Sequence, residues 1–295
     1  MRPLLDRLKD GDVLLADGAM GTMLMASGLS PGECTEAVNI ERPQVLQQIA
    51  ASYIDAGADI IQTNTFGASP LRLAHYSLHE RMEEINVAAV QAARQASRNR
   101  TYVCASCGPC GRILQPYGDT DPADVADSFK RQLAVLIAEG VDLICVETMT
   151  DLTEATLAVK AAKAISPGTP VSATMTFDDT PNGFFTVMGV TVEQAVTGLT
   201  TAGADILGSN CGYGITHMVR LAAEFRRHTE LPLLIQANAG LPEIEGDTLI
   251  YPETPEYMAE KCRELITIGV NIIGGCCGTT PEHIGAIRKV IDELH

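Results

Sequence analysis

Three of the nine cysteines in this chain stand in a setting typical of a metal site. Cys276 and Cys277 are adjacent within the glycine-rich segment 274–279 (GGCCGT), and Cys211 lies 65 residues before Cys276. Thiolates suit zinc, and a site with three protein ligands keeps one tetrahedral position open, as catalytic zinc requires. The flanking glycines allow adjacent cysteines to face one ion. The alternative is that Cys276 and Cys277 only pack within a glycine-rich turn.

A second group of thiols has the spacing Cys-x2-Cys-x2-Cys and comprises Cys104, Cys107 and Cys110. This spacing is typical of part of an iron–sulfur motif, but Leu114 stands where the fourth cysteine is expected. Cys104 also falls inside a predicted strand, which favours burial. We interpret these three as packing thiols and assign them no ligand. The same interpretation applies to Cys34, Cys145 and Cys262.

A degenerate repeat indicates the elements that must position the first three thiols. Four segments share a Gly, then Ala or Val, then Asp or Asn, then two aliphatic residues. They begin at Gly57, Gly140, Gly203 and Gly269. Each follows an amphipathic stretch, such as 43–56 or 192–202. The pattern predicts a helix that ends at glycine and a buried strand that starts directly afterwards.

Four more short apolar runs complete a set of eight predicted strands. They are Val13–Ala16, Tyr102–Ser106, Val171–Thr176 and Leu233–Gln236. Predicted helices separate the strands, which is typical of parallel strands covered by helices. Eight such units in 295 residues predict an α/β fold, a (β/α)8 TIM barrel that forms a single domain over residues 1–295. No Gly-x-Gly-x-x-Gly follows the first strand, which disfavours a dinucleotide-binding sheet.

A TIM barrel carries its active site on the loops that follow the strands. The predicted strand ends are rich in carboxylates, amides and thiols. They are Asp17, Asn64, Ser106 or Cys107, Glu147, Thr176, Asn210 with Cys211, Asn238, and Cys276 with Cys277. Strands six and eight flank strand seven in a closed barrel, so the three thiols of the first group are expected to converge there.

Composition and charge exclude several classes of function. The formal net charge of −16 and the absence of a basic cluster argue against nucleic-acid binding. No run of eighteen apolar residues exists, so no membrane span is expected. Residues 1–12 lack a secretory signal, and nine cysteines without a disulfide framework agree with a cytoplasmic protein.

Taken in order, these motifs make the chain resemble the homocysteine S-methyltransferase family from about Leu14 to Val290. The likeness is greatest to the N-terminal homocysteine-binding domain of cobalamin-dependent methionine synthases. The matching segments are 17–22 (DGAMGT), 63–68 (TNTFGA), 108–109 (GP), 147–148 (ET), 210–211 (NC), 238–240 (NAG) and 274–283 (GGCCGTTPEH).

The resemblance implies a zinc-dependent transfer of a methyl group to the thiol of homocysteine, which gives methionine. It places the zinc ligands at Cys211, Cys276 and Cys277, and a labile fourth ligand at Asn238. Coordination would deprotonate the substrate thiol, because zinc deprotonates a bound thiol and the thiolate is the reactive form.

The resemblance also assigns substrate contacts. Asp17 and Glu147 match acidic positions that face the amino group of homocysteine. Asn64 and Asn210 are expected either to contact the substrate or to orient loops. For the two acids, the alternatives are a capping role for Asp17 and a solvated loop position for Glu147.

The methyl donor is the least specified part of this prediction. A methylcorrinoid (methylcobalamin) that carries a folate-derived methyl group, held by a partner protein or another domain, is the expected donor. A sulfonium such as S-methylmethionine is the alternative. The betaine-using branch of the family carries a tyrosine where this chain has Gly67, which argues against a quaternary-ammonium donor.

Functions from other classes fit the sequence less well. A Schiff-base aldolase needs a lysine at a strand end, whereas all six lysines fall in predicted helices. A phosphate-binding isomerase would use the glycine-rich loops seven and eight, which the thiols occupy. A non-enzymatic subunit that binds zinc and docks a corrinoid protein stays an alternative.

Overall fold

The computed structural model describes residues 1–245 and 248–294. Eight parallel strands form one sheet in the order β1-β8-β7-β6-β5-β4-β3-β2. A bridge between Ala16 and Ile60 joins the first strand to the second and closes the ring. The strands are β1 Leu14–Leu15, β2 Ile60–Gln62, β3 Tyr102–Cys107, β4 Leu143–Met149, β5 Val171–Met175, β6 Ile206–Asn210, β7 Leu233–Ala237 and β8 Ile272–Gly275.

One main helix follows each strand and covers the outside of the ring, which confirms the predicted (β/α)8 barrel. The eight helices are α1 Pro43–Asp55, α2 Met82–Ser97, α3 Pro122–Ala138, α4 Leu152–Ile165, α5 Val192–Ala202, α6 Ile215–His228, α7 Pro255–Ile268 and α8 Pro281–Leu294. Shorter helices lie before β1 and in the first two loops, namely Leu4–Lys9, Met20–Ala26, Val38–Glu41 and Pro70–Leu73. Two-stranded hairpins occupy the loops after β5 (Asp178–Thr180 with Gly183–Phe185) and β7 (Glu243–Glu245 with Thr248–Ile250).

Alternate residues of each strand belong to two different cores. Outward residues such as Ile61, Val103 and Ile144 pack under the helices in the main hydrophobic cluster. A smaller cluster inside the ring takes residues from seven of the eight strands, together with Leu4 and Leu8 of the first helix. That helix therefore closes the amino-terminal end of the barrel with apolar side chains, and the pocket must open at the other end.

The predicted repeat is a structural device used four times. Gly203 and Gly269 end their helices with φ of 103° and 90°, a conformation that favours glycine. The acid or amide two residues later accepts a hydrogen bond from the backbone N–H of the preceding strand. The pairs are Asp59 with Leu15, Asp142 with Val103, Asp205 with Val171 and Asn271 with Leu233. The repeat thus ties odd and even strands together in pairs.

In the three copies of the repeat that carry an aspartate, the carboxylate also pairs with an arginine or lysine. Arg288 donates to Asp59, and Arg94 and Lys163 donate to Asp142 and Asp205. Each of these three carboxylates therefore has both a backbone donor and a charged partner. Within residues 1–245 and 248–294, no helix combines the length and apolar character needed to cross a bilayer.

Candidate metal centre and substrate pocket

The loops after β6 and β8 carry the three candidate ligands. Cys211 directly follows β6 in a left-handed conformation, with φ of 62°, and Cys276 directly follows β8. Both loops are fastened to β7, because Cys211 N–H donates to Gln236 O at 3.1 Å and Cys276 N–H donates to Ala237 O at 2.7 Å. The Sγ atoms of Cys211, Cys276 and Cys277 consequently lie within 4.8 Å of one another.

This trio has the chemistry of a metal site. Among the described residues it is the one group of three cysteine, histidine or acidic side chains close enough to share an ion. Hydrogen bonds from Cys276 and Cys277 lower the pKa of the Cys211 thiol. The hydrogen bond between Cys276 and Cys211 raises the pKa of the Cys276 thiol. Three thiols this close cannot all ionise without a cation, and a divalent metal would stabilise the three thiolates together.

Asn238, which follows β7, lies beside this trio. It is 4% exposed, and its side chain is close enough to Cys211 to lower the pKa of that thiol. Its Nδ2 donates to Gly212 O at 3.2 Å, whereas its Oδ1 has no hydrogen-bond partner among the described residues. A buried acceptor without a donor needs an explanation, and a cation is a suitable one.

The two candidate acids lie at the carboxyl ends of β1 and β4 and are buried. Asp17 Oδ2 accepts from Gln62 N–H at 2.8 Å, and Asp17 Oδ1 has no partner within the described chain. Glu147 accepts from the Ser106 hydroxyl and from Gln62 Nε2. Burial raises the pKa of each acid to about 7, and the charge of Glu147 adds to the effect on Asp17. The burial of Glu147 contradicts the alternative that it is a solvated loop residue. The Asp17 carboxylate accepts from Gln62 N–H on the neighbouring strand instead of capping the turn that follows it.

The amides of Asn64 and Asn210 are bonded mainly to other parts of the protein. Asn64 Nδ2 donates to Thr35 O and to Asn39 Oδ1, which connects the first two loops. Asn210 Oδ1 accepts from Thr148 N–H and from the Thr174 hydroxyl. Its Nδ2 donates to Thr148 Oγ1 at 2.7 Å and to Glu147 Oε2 at 3.2 Å. This arrangement suits positioning, and it brings Asn210 into direct contact with the acid.

A cavity of about 270 Å³ joins the metal trio to Glu147 at the carboxyl end of the barrel. Residues 18–22 form one side, and Asn64 and Phe66 from the second loop form another. Its size is that of a small amino acid rather than of a nucleotide or a corrinoid. The cavity therefore has room for a small molecule, and a larger one could reach the site only from the mouth.

Hydrogen bonds between loops hold the mouth together. The Thr279 hydroxyl donates to Cys276 O and accepts from Ala19 N–H, so loop eight is fixed to loop one. Glu253 accepts from Ile215 N–H at the start of α6, and its own carbonyl oxygen lies 3.0 Å from His283 Nε2. Loops six, seven and eight, which surround the thiols, are thus mutually braced.

Several pocket residues were not singled out from the sequence. Gln62, Ser106 and Gln236 are polar, buried or nearly so, and line the cavity. From the sequence, Ser106 is one of two candidates for the end of the third strand, with no role assigned to it. A signal for them exists, because each stands two residues beyond an inward apolar residue of its strand. Those inward residues are Ile60, Cys104 and Leu234.

The second group of thiols does not form a site. Cys104 points into the barrel interior, whereas Cys107 and Cys110 belong to the core under the helices. Burial raises the pKa of Cys110 to about 12 and also raises the pKa of Cys104 and Cys107. The packing interpretation of these cysteines agrees with their burial. Cys34, Cys145 and Cys262 are buried as predicted.

Sequence comparisons find relatives among the methionine synthases. Methionine synthases of Mycobacterium tuberculosis and Mycobacterium leprae are 32% and 30% identical to the chain over 96% and 95% of its length. The chain spans about a quarter of the length of these relatives, 25% and 24%.

Solved structures of the homocysteine methyltransferase MmuM from Escherichia coli have the same fold. The metallated form superposes with a TM-score of 0.82 at 23% identity and covers 98% of this chain and 99% of that chain. The apo form gives a TM-score of 0.74 with 98% of each chain covered.

A family model described as homocysteine S-methyltransferase matches residues 14–291, which include the three thiols and both buried acids. From that match over nearly its whole length, the chain belongs to the homocysteine S-methyltransferase family.

Proposed function

We propose that this chain transfers a methyl group to the thiol sulfur of homocysteine, giving methionine, with zinc bound by Cys211, Cys276 and Cys277. The observation that carries the proposal is the approach of three thiols to within 4.8 Å beside a cavity that the buried Glu147 lines, with the buried Asp17 next to the lining residue Gly18. Membership of the homocysteine S-methyltransferase family supports the reaction type.

The donor set fits zinc better than a harder cation. Three sulfur ligands suit a soft or borderline metal, and Asn238 Oδ1 would serve as the labile fourth ligand that the substrate sulfur displaces. When bound, zinc would act as a Lewis acid that favours the thiolate form of a nearby thiol at neutral pH.

The two acids would bind the other end of homocysteine. Glu147 lines the cavity, the buried Asp17 directly precedes the lining residue Gly18, and no arginine or lysine is among the lining residues. An ammonium group would be held by charge-assisted hydrogen bonds to both. Binding of the cation would also lower the raised pKa of each acid, so both would be ionised in the complex.

The protein's part in the transfer is to orient the reactants. The acids would fix the amino group, so that the sulfur of homocysteine faces the trio at the opposite side of the cavity. The thiol loses its proton to solvent, and its sulfur forms a bond to the methyl carbon. The bond between that carbon and the donor breaks, and the donor keeps the electron pair. Loops braced by Glu253 and Thr279 would keep this geometry fixed.

For the donor, we propose a methylcorrinoid carried by a partner or by another domain. The similarity to methionine synthases, of which the chain spans a quarter, supports this choice. A quaternary-ammonium donor is disfavoured because Gly67 stands where the betaine-using branch carries a tyrosine, whose aromatic face suits such a cation. A side chain at this position would also meet Glu36, whose Oε1 lies 2.8 Å from the position of a Cβ. A sulfonium such as S-methylmethionine is the alternative donor.

The test supplies homocysteine with methylcobalamin or S-methylmethionine in turn and quantifies methionine and zinc, with protein-free blanks. We expect one zinc per chain and methionine from methylcobalamin. Cys211→Ala should lose both, because two thiols rarely retain zinc. Cys262→Ala, a buried cysteine on α7, is the matched control and should retain both.

Three outcomes would contradict parts of the proposal. Zinc without methionine from any donor would favour the non-enzymatic, corrinoid-docking alternative. Methionine from S-methylmethionine alone would replace the donor. An active, zinc-free Cys211→Ala variant would refute the ligand assignment.

A further inference from the structure

The barrel interior changes from apolar to polar along the strands, and Gln236 belongs to the polar layer. The lower layer contains Ile60, Cys145 and Leu234. Two residues further along the same strands stand Gln62, Glu147 and Gln236. Since side chains alternate along a strand, these polar residues also point into the barrel. Gln236 is 2% exposed and lines the floor of the cavity.

The side-chain amide of Gln236 is not satisfied by the protein. Its Nε2 has one long hydrogen bond, 3.5 Å to Gly275 O. Its Oε1 has no partner among the described residues. By contrast, the amide of the buried Gln132 on α3 is used on both sides, since Nε2 donates to Thr65 O and Oε1 accepts from Cys107. An unpaired buried acceptor is costly, so Gln236 Oε1 has the character of a group that awaits a donor.

The position of Gln236 places this acceptor on the same side of the barrel as Asp17. Gly274 lies on β8, between β7 and β1. A Cβ at Gly274 would be 3.2 Å from Gln236 Cγ and 3.1 Å from Asp17 O. Glycine at this position therefore allows the Gln236 side chain and the Asp17 backbone to lie close together, and both residues have an unpaired side-chain oxygen.

We propose that Gln236 Oε1 accepts a hydrogen bond from the substrate's ammonium group, as a third acceptor beside Asp17 and Glu147. An ammonium group has three N–H donors, and three acceptors would use all of them. The inference rests on the proposed function and deepens it, because it makes Gln236 a residue that selects α-amino thiols over thiols without an amino group.

The experiment is a double-mutant-type thermodynamic cycle in which the side chain of Gln236 and the amino group of the ligand are removed separately and together. Dissociation constants of homocysteine and of 4-sulfanylbutanoate, which lacks the amino group, are measured by calorimetry on the zinc-loaded chain and its Gln236→Met variant. We expect Gln236→Met to weaken homocysteine binding by roughly tenfold and to leave 4-sulfanylbutanoate within about twofold. Zinc content should not change.

Two further variants separate an acceptor role from packing. Gln236→Glu retains an acceptor oxygen and should keep the preference for homocysteine, whereas Gln132→Met should cost stability and leave the preference unchanged. Equal weakening of both ligands by Gln236→Met, or loss of the preference in Gln236→Glu, would overturn the inference. Failure of the unmodified chain to bind homocysteine would instead count against the proposed function.

Discussion

The two ends of the barrel treat carboxylates in opposite ways. At the amino-terminal end, Asp59, Asp142 and Asp205 each accept a backbone N–H and pair with an arginine or lysine. At the carboxyl end, Asp17 and Glu147 accept hydrogen bonds from protein groups, but neither forms an ion pair with an arginine or lysine of the described residues. The first arrangement stabilises the fold, and the second leaves two acids that, under our proposal, would bind the ammonium group of the substrate.

The same contrast separates satisfied from unsatisfied polar atoms. The repeated acids hold strand pairs together and leave no oxygen buried without a donor. The pocket end contains unpaired acceptors at Asp17, Gln236 and Asn238. A protein keeps such a cost only where another interaction compensates for it, and homocysteine and zinc together would supply that compensation.

The largest expected effect at the pocket end is that of Glu147→Gln. Loss of the charge-assisted bond to an ammonium should raise the dissociation constant of homocysteine by roughly ten- to a hundredfold. Stability should not fall, because a neutral amide avoids the burial cost that raises the pKa of Glu147. Calorimetry and urea unfolding measure the two quantities, and zinc content should stay constant. Loss of zinc in this variant would place Glu147 in the metal site and remove the contrast.

The opposite result is expected for Asp142→Ala at the other end. The change leaves the N–H of the buried Val103 without its acceptor and removes the partner of Arg94. We expect the free energy of unfolding to fall by about 1–3 kcal/mol, with homocysteine binding unchanged. Asp127→Ala, an exposed acid on α3, is the control and should stay within about 0.5 kcal/mol. A change in homocysteine affinity would show that the two ends are coupled.

The smallest effect, taken per pH unit, concerns Asp17. Burial raises the pKa of Asp17 from its ordinary 3.8 to about 7, so the folded state favours the protonated acid. The resulting stabilisation is complete below about pH 4 and is lost as the pH rises through 7. Relative to wild type, Asp17→Asn should therefore gain stability as the pH rises from about 4 to 7, on the order of 1 kcal/mol per pH unit. A difference in the free energy of unfolding between variant and wild type that does not change with pH across this range would mean that Asp17 is solvated or paired with a cation.

Local sequence determined most of the architecture. The Gly-x-Asp/Asn repeat marked the helix ends and the even strands, and α5 has the bounds 192–202 that the pattern predicted. This succeeds because helix capping and strand burial are short-range requirements that each unit meets by itself. The three thiols could also be chosen from sequence, because strand order in a closed barrel fixes which loops are neighbours.

Only the tertiary structure decided what each polar group of the pocket is free to do. From sequence, Asn64, Asn210 and Gln236 are equivalent amides, yet the first two are bonded within the protein and the third keeps an unpaired oxygen. The difference depends on partners that are distant in the chain, such as Asn39 for Asn64 and Thr174 for Asn210. Hydrogen-bond satisfaction is a property of the assembled barrel, because it is settled only when eight strands bring their side chains to one layer.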